Sequence, residues 1–182
     1  MKTFFQNMNI TILFALFTTH AAANLSCETT IVGKDNMQYD KKEIIVSKSC
    51  SKFTINFKYD GKLPKTAMGH NLVITKKSDM TAVGTAALQR GPQNDYSPAK
   101  EDKRVIAASS KLLGGGKGDP KEDTVVLDTS RLNSKEEYMF FCTFPGHVAI
   151  MQGKLKVEEG KAPVKKAPVK KAPEATKAPS PK

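Results

Sequence analysis

Seven consecutive residues, Phe53-Thr54-Ile55-Asn56-Phe57-Lys58-Tyr59, alternate apolar with polar side chains. That is the period of a strand with one face in a core and the other toward water. Shorter runs rich in β-branched and aromatic residues recur at 43–46, 71–75, 124–128, 138–141 and 154–157, separated by Gly, Pro, Asn and Asp. Several short strands between turn signals predict a sandwich or barrel. A helix is predicted over 78–89, with Ser78 or Asp79 as N-cap and an Ala-rich interior. The run Gly114-Gly115-Gly116-Lys117-Gly118-Asp119-Pro120 lacks the Ser or Thr that follows lysine in a phosphate-binding loop, and no helix pattern comes after it. It reads as a surface turn.

Both ends depart from this pattern. Residues 1–23 read as a secretory signal peptide: Lys2 gives the positive start, 10–17 an apolar run and Ala21-Ala22-Ala23 a small-residue cleavage site. The apolar run is too short to span a membrane. The mature chain is expected to begin at Asn24, soluble and periplasmic. Acylation at Cys27 is the lesser alternative, because Asn24 stands where a lipid-attachment motif wants an aliphatic residue. Residues 24–160 are enough for one domain with its own core. From 161 to 182 the sequence becomes Lys-Ala-Pro repeats without aromatics, a composition that cannot pack and favours an extended, disordered tail. Fully extended it would reach roughly 70 Å. It reads either as a cationic tether for anionic envelope surfaces or as a passive solubilising extension.

The formal net charge of +11 includes +6 from the tail and +1 from Lys2, leaving +4 on the body. A mildly basic body without basic runs interleaved with aromatics argues against a nucleic-acid partner.

Export implies an oxidising compartment, where three cysteines leave one over. Cys27 and Cys50 flank the first strand-like segments and are expected to pair, leaving Cys142 single. Cys142 lies in Cys142-Thr143-Phe144-Pro145-Gly146-His147-Val148-Ala149-Ile150-Met151. Extended, five residues would hold Cys142 and His147 roughly 17 Å apart, so a shared ion requires a chain reversal. Pro145-Gly146 supplies turn chemistry for it. His147 and Met151 are spaced to share one face of a helical turn. A thiolate, an imidazole and a thioether suit copper better than zinc. With His20 in the leader, His70 is the one further histidine that can complete the set.

Met68-Gly69-His70-Asn71, together with the Cys142 to Met151 loop, is similar to the azurins, blue-copper cupredoxins, and the resemblance extends over 25–157, the Cys27 and Cys50 spacing included. It implies an all-β Greek-key β-sandwich, cupredoxin-like, with one short helical flap. It further implies one copper ion cycling between Cu(I) and Cu(II), held by His70, Cys142 and His147, with Met151 as distant axial ligand and the Gly69 carbonyl opposite. Asn71 and Phe144 would give backbone N–H groups to the cysteine sulfur, while Pro145 cannot donate. Met37, Leu63, Ala67, Met68, Phe144 and Pro145 would form an apolar docking face around a partly exposed edge of His147, although Met37 and Met68 read equally well as core. Two positions depart from the family pattern: Leu72 stands where relatives often carry Trp, and Tyr59 where some carry a histidine that couples to pH.

The implied function is single-electron transfer, not enzymatic turnover, with transient partners such as cytochromes or copper reductases and a monomeric body. Copper delivery is the competing class, but the scattered methionines and the cysteine ligand argue for retention. A copper enzyme would need further histidines, and a cysteine hydrolase would leave Met151 and His70 unexplained.

Overall fold

The computed structural model describes residues 26–160. The signal-peptide and tail readings lie outside the described residues, as does His20. The strands are β1 (Glu28–Lys34), β2 (Gln38–Tyr39), β3 (Glu43–Ser47), β4 (Lys52–Asp60), β5 (Val73–Lys76), β6 (Val105–Ala108), β7 (Glu122–Asp128), β8 (Tyr138–Phe141) and β9 (Gln152–Glu158). They form a four-stranded sheet in the order β2-β1-β4-β7 and a five-stranded sheet in the order β3-β9-β8-β5-β6. β1 with β4, and β3 with β9, are parallel; the other pairs are antiparallel. The expected β-sandwich is present. No helix among the described residues is long and apolar enough to cross a membrane.

Alternation sends Phe53, Ile55, Phe57 and Tyr59 of β4 inward, where they meet Ile31, Val125 and Leu127 of the same sheet and Ile74, Phe140 and Leu155 of the other. The opposite face of the five-stranded sheet is not left to water. Val73 and Phe141 point outward there and are covered by Val83 of α2 (Met80–Gln89). This is the expected flap. Its start differs from expectation: a 3₁₀ turn, Lys77–Asp79, feeds the helix directly, and Asp79 is already helical with no side-chain cap. A second, one-turn helix, α1 (Lys65–Met68), precedes His70.

Cys27 and Cys50 form a disulfide with Cα atoms 5.6 Å apart, and Cys142 is free and buried. Closing a separation of 23 residues stabilises by about 3 kcal/mol on the chain-entropy argument. The bridge ties the start of β1 to the approach of β4, at the end of the sandwich remote from His70.

The glycine-rich run is more than a surface turn. Gly114 is buried, the Gly115 N–H donates to the Leu63 carbonyl at 2.8 Å, and the Asp119 carboxylate accepts from the Lys65 N–H at 2.7 Å. The run packs against the segment that carries α1, because backbone without side chains can approach backbone.

Candidate metal centre

Two loops at one end of the sandwich bring the donor groups together. In the first, the N–H groups of Ala67 and Met68 both reach the Pro64 carbonyl at 2.9 Å, closing the turn of α1. His70 then pairs with Leu113 through backbone bonds of 2.9 and 2.8 Å, which fixes where its side chain starts. In the second, Cys142 follows β8 directly. The Cys142 N–H donates to the Met151 carbonyl at 3.0 Å and closes the loop at its base. Pro145-Gly146 makes the expected reversal, with Gly146 at φ 81°, a value that favours glycine. The N–H groups of Ile150 and Met151 reach the His147 carbonyl at 2.9 and 2.7 Å, the predicted helical turn.

Donor atoms of His70, Cys142 and His147 all lie within 4.8 Å of one another, and all three residues are buried. Cys142 Sγ is 3.6 Å from His147 Nδ1 and 3.9 Å from the Gly69 carbonyl oxygen. Met151 is fully buried. A methyl group placed on Gly33 would lie 3.1 Å from Met151 Cε and 2.9 Å from His70 Cδ2, so the end of the Met151 chain adjoins the His70 ring.

Hydrogen bonds from outside aim this set. His70 Nε2 is 2.7 Å from the Lys34 carbonyl. A carbonyl only accepts, and of the two carbonyls that His70 meets Lys34 is the nearer; with the ring proton on Nε2, Nδ1 keeps its lone pair. Asn71 Oδ1 accepts from the Thr143 N–H at 2.8 Å, and Asn71 Nδ2 donates to Thr143 Oγ1 at 2.7 Å. The Thr143 hydroxyl in turn donates to the Tyr96 carbonyl at 2.6 Å. One side chain, that of Asn71, therefore ties the two loops together.

The chemistry of this cluster fits a soft cation. His70 Nδ1 lies 2.9 Å from the Gly69 carbonyl oxygen. With the ring proton on Nε2, two lone pairs face each other there, an arrangement that a bound cation relieves. Burial pushes the Cys142 thiol up to about 12, against the backbone N–H groups of Asn71 and Phe144, which favour the thiolate. Without a metal the sulfur stays protonated at neutral pH, and a bound metal would displace that proton. Burial, then the neighbouring His70, lowers His147 to about 4, and burial lowers His70 as well. Both rings are neutral at pH 7, the form that ligates. Sulfur with imidazole and a thioether selects copper over calcium or magnesium.

Residues 25–158 match the family described as copper binding proteins, plastocyanin/azurin family. The chain belongs to that family. It is 49% identical over 132 residues to the azurin of Alcaligenes faecalis, covering 72% of this chain and 98% of that protein. To the azurin of Bordetella pertussis it is 47% identical over 145 residues, 80% and 92% of the two chains. Among solved structures it is similar to the azurin Az-iso2 of the obligate methylotroph Methylomonas sp. strain J, with a TM-score of 0.67, 41% identity, and coverage of 74% of this chain and 100% of that one. Azurin-family proteins are electron carriers, and this chain is one: it works by single-electron transfer at a type 1 copper site with redox partners, not by substrate turnover.

Within this azurin-family site, the residues implied as a docking face are unevenly exposed. Leu63 is 41% exposed; Ala67 and Pro145 are exposed, and Met37 and Met68 half-buried. Phe144 is only 8% exposed and His147 2% exposed, both more enclosed than the resemblance implied. Phe144 packs between Tyr96, edge-on, and His147, tilted, at ring-centroid distances of 5.4 and 4.8 Å. Sequence reasoning missed Lys34, Thr143 and Tyr96. Two of these act through carbonyl oxygens, which leave no mark on residue type. Thr143, a hydroxyl residue beside Cys142, was the one legible hint.

Proposed function

We propose that His70 Nδ1, Cys142 Sγ and His147 Nδ1 are the strong copper ligands, with the Met151 thioether and the Gly69 carbonyl as weak donors. The convergence of two neutral imidazoles and one buried thiol on a single point carries this reading. Copper, when bound, supplies the one-electron couple. The protein's part is to keep the donors fixed. Asn71 and Thr143 lock the Cys142 loop against the His70 loop, the Lys34 carbonyl fixes the His70 tautomer, and the backbone N–H groups of Asn71 and Phe144 temper the charge on sulfur. The surrounding apolar shell of Leu112, Leu113, Phe144 and Tyr96 keeps bulk water away.

The face carrying Leu63, Ala67, Met68, Pro145 and Met37 is the docking surface. It is apolar, exposed in patches, and adjoins the loop holding His147, so a partner that covers it comes near the copper by way of that ring. Cytochromes and copper reductases are partners of the right kind, in small transient contacts. Met68→Lys puts a charge into the contact and should slow self-exchange by about tenfold without altering the spectrum. Unchanged self-exchange would place the electron route elsewhere.

The chain is organised as a leader over 1–23, a copper domain over 24–160 and a tail over 161–182, and the mature protein works as a monomer in the periplasm. Mass spectrometry of a periplasmic fraction should find an N-terminus at Asn24; cytoplasmic retention of the intact chain contradicts the assignment.

A further inference from the structure

The pocket side of His70 is well accounted for by its loop, but what holds the Lys34 carbonyl in place is not. Lys34 ends β1 and opens a tight turn in which the Met37 N–H donates to the same Lys34 carbonyl at 3.2 Å, with Met37 at φ 57°. Strand pairing places Lys34 opposite Gln38 and Asp60, and the turn beyond it is held from outside as well. Asp35, the next residue, anchors it. Its Oδ1 accepts from the Tyr59 hydroxyl at 2.5 Å and from the Leu63 N–H at 3.3 Å, and its Oδ2 accepts from the Lys62 N–H at 2.8 Å. The Tyr59 ring in turn lies against His70, centroids 5.1 Å apart and tilted by 39°. Any side chain at Gly61 would overlap the Asp35 carboxylate, so the missing Cβ is what admits it.

We infer that Asp35 and Tyr59 are a positioning pair for His70. Asp35 joins the Lys34 turn to the segment leading into α1, and Tyr59, held by its hydroxyl, backs the ring face. Together they fix the Nε2–H on Lys34 and therefore the direction in which Nδ1 points. The carboxylate is engaged on both oxygens, and charge-assisted bonds of this kind are the stronger ones. Tyr59 sits in β4, whose parallel register with β1 sets Gly33 opposite Tyr59 and Lys34 opposite Asp60. Tyr59 thus stands on a strand, and Asp35 immediately follows one. Its significance for copper rests on the reading of His70 as a ligand; its effect on the ring does not.

The test is the solvent-exchange rate of the His70 Nε2 proton, measured by NMR in the full-length chain, both copper-free and loaded with Cu(I), with the Ile74 backbone N–H of β5 as internal reference. Asp35→Ala should speed exchange at His70 by at least about tenfold relative to Ile74. Asp35→Asn, which keeps an acceptor for Tyr59, should recover part of the protection. Tyr59→Phe should give a smaller rise, and it carries the test if Asp35→Ala does not fold. A purely structural role would loosen both protons equally, and that result, or no change at His70, overturns the proposal. If His70 is not a ligand, wild-type protein with copper will lack the blue band whatever the exchange rates do, so the two failures are separable.

Discussion

Replacing Asn71 with Ala removes the side-chain amide that ties the His70 loop to Thr143 of the Cys142 loop. Thr143, 1% exposed, loses the acceptor for its N–H and cannot find water. A buried unpaired N–H costs about 1–3 kcal/mol. The Thr143 hydroxyl keeps the Tyr96 carbonyl, so it adds little. The Asn71 contact to the Asp95 carbonyl, at 3.4 Å, is too long to count for much. The small void left by the amide brings the total to about 2–3 kcal/mol. With unfolding entropy of about 2.1 cal/mol/K per residue over the described 26–160, that corresponds to a fall in Tm of about 7–10 °C. Calorimetry of the copper-free protein should show it, away from any contribution of metal binding. Copper affinity should fall as well, by about 10–100-fold, the range for outer partners of metal ligands. A Tm within about 2 °C of wild type, or unchanged affinity, would refute the claim that Asn71 couples the loops.

Met151→Leu should keep the blue colour and raise the reduction potential, because a weak axial donor favours Cu(II); complete loss of copper binding, seen by titration, would make Met151 a primary ligand instead. Deleting 161–182 should leave copper binding intact and weaken retention on anionic vesicles at low salt, with the difference vanishing at high salt as charges are screened. Equal retention of both forms at low salt would leave the tail as a passive extension.

The parts of the fold that were readable in the sequence are those where burial is one-sided or complete. β4 alternates cleanly, and β8, buried on both faces as Tyr138-Met139-Phe140-Phe141, shows as a continuous apolar run. β1 carries Thr29 and Thr30 where alternation would ask for a contrast, and β6 is half-buried throughout, so neither stands out by period. The helix start was legible, with Asp79 just before Met80, but its side-chain cap was not formed, because backbone wound through a 3₁₀ turn supplies what a cap would have. Within the site, Cys142, His147 and Met151 are close in sequence and announce themselves by donor type. Asp35, Tyr59 and Lys34 do not: the β1 to β4 register brings Asp35 and Tyr59, 24 residues apart in sequence, together beside His70, and two ordinary residue types with a carbonyl oxygen carry no motif.

The central claim, that Cys142 with His70 and His147 forms a type 1 copper site, is tested most directly by the visible spectrum of the purified protein with one equivalent of Cu(II). Wild type should turn intensely blue through thiolate-to-copper charge transfer and bleach on reduction, while Cys142→Ser should bind copper without the colour. A colourless wild-type complex, or a blue Cys142→Ser variant, would contradict the account.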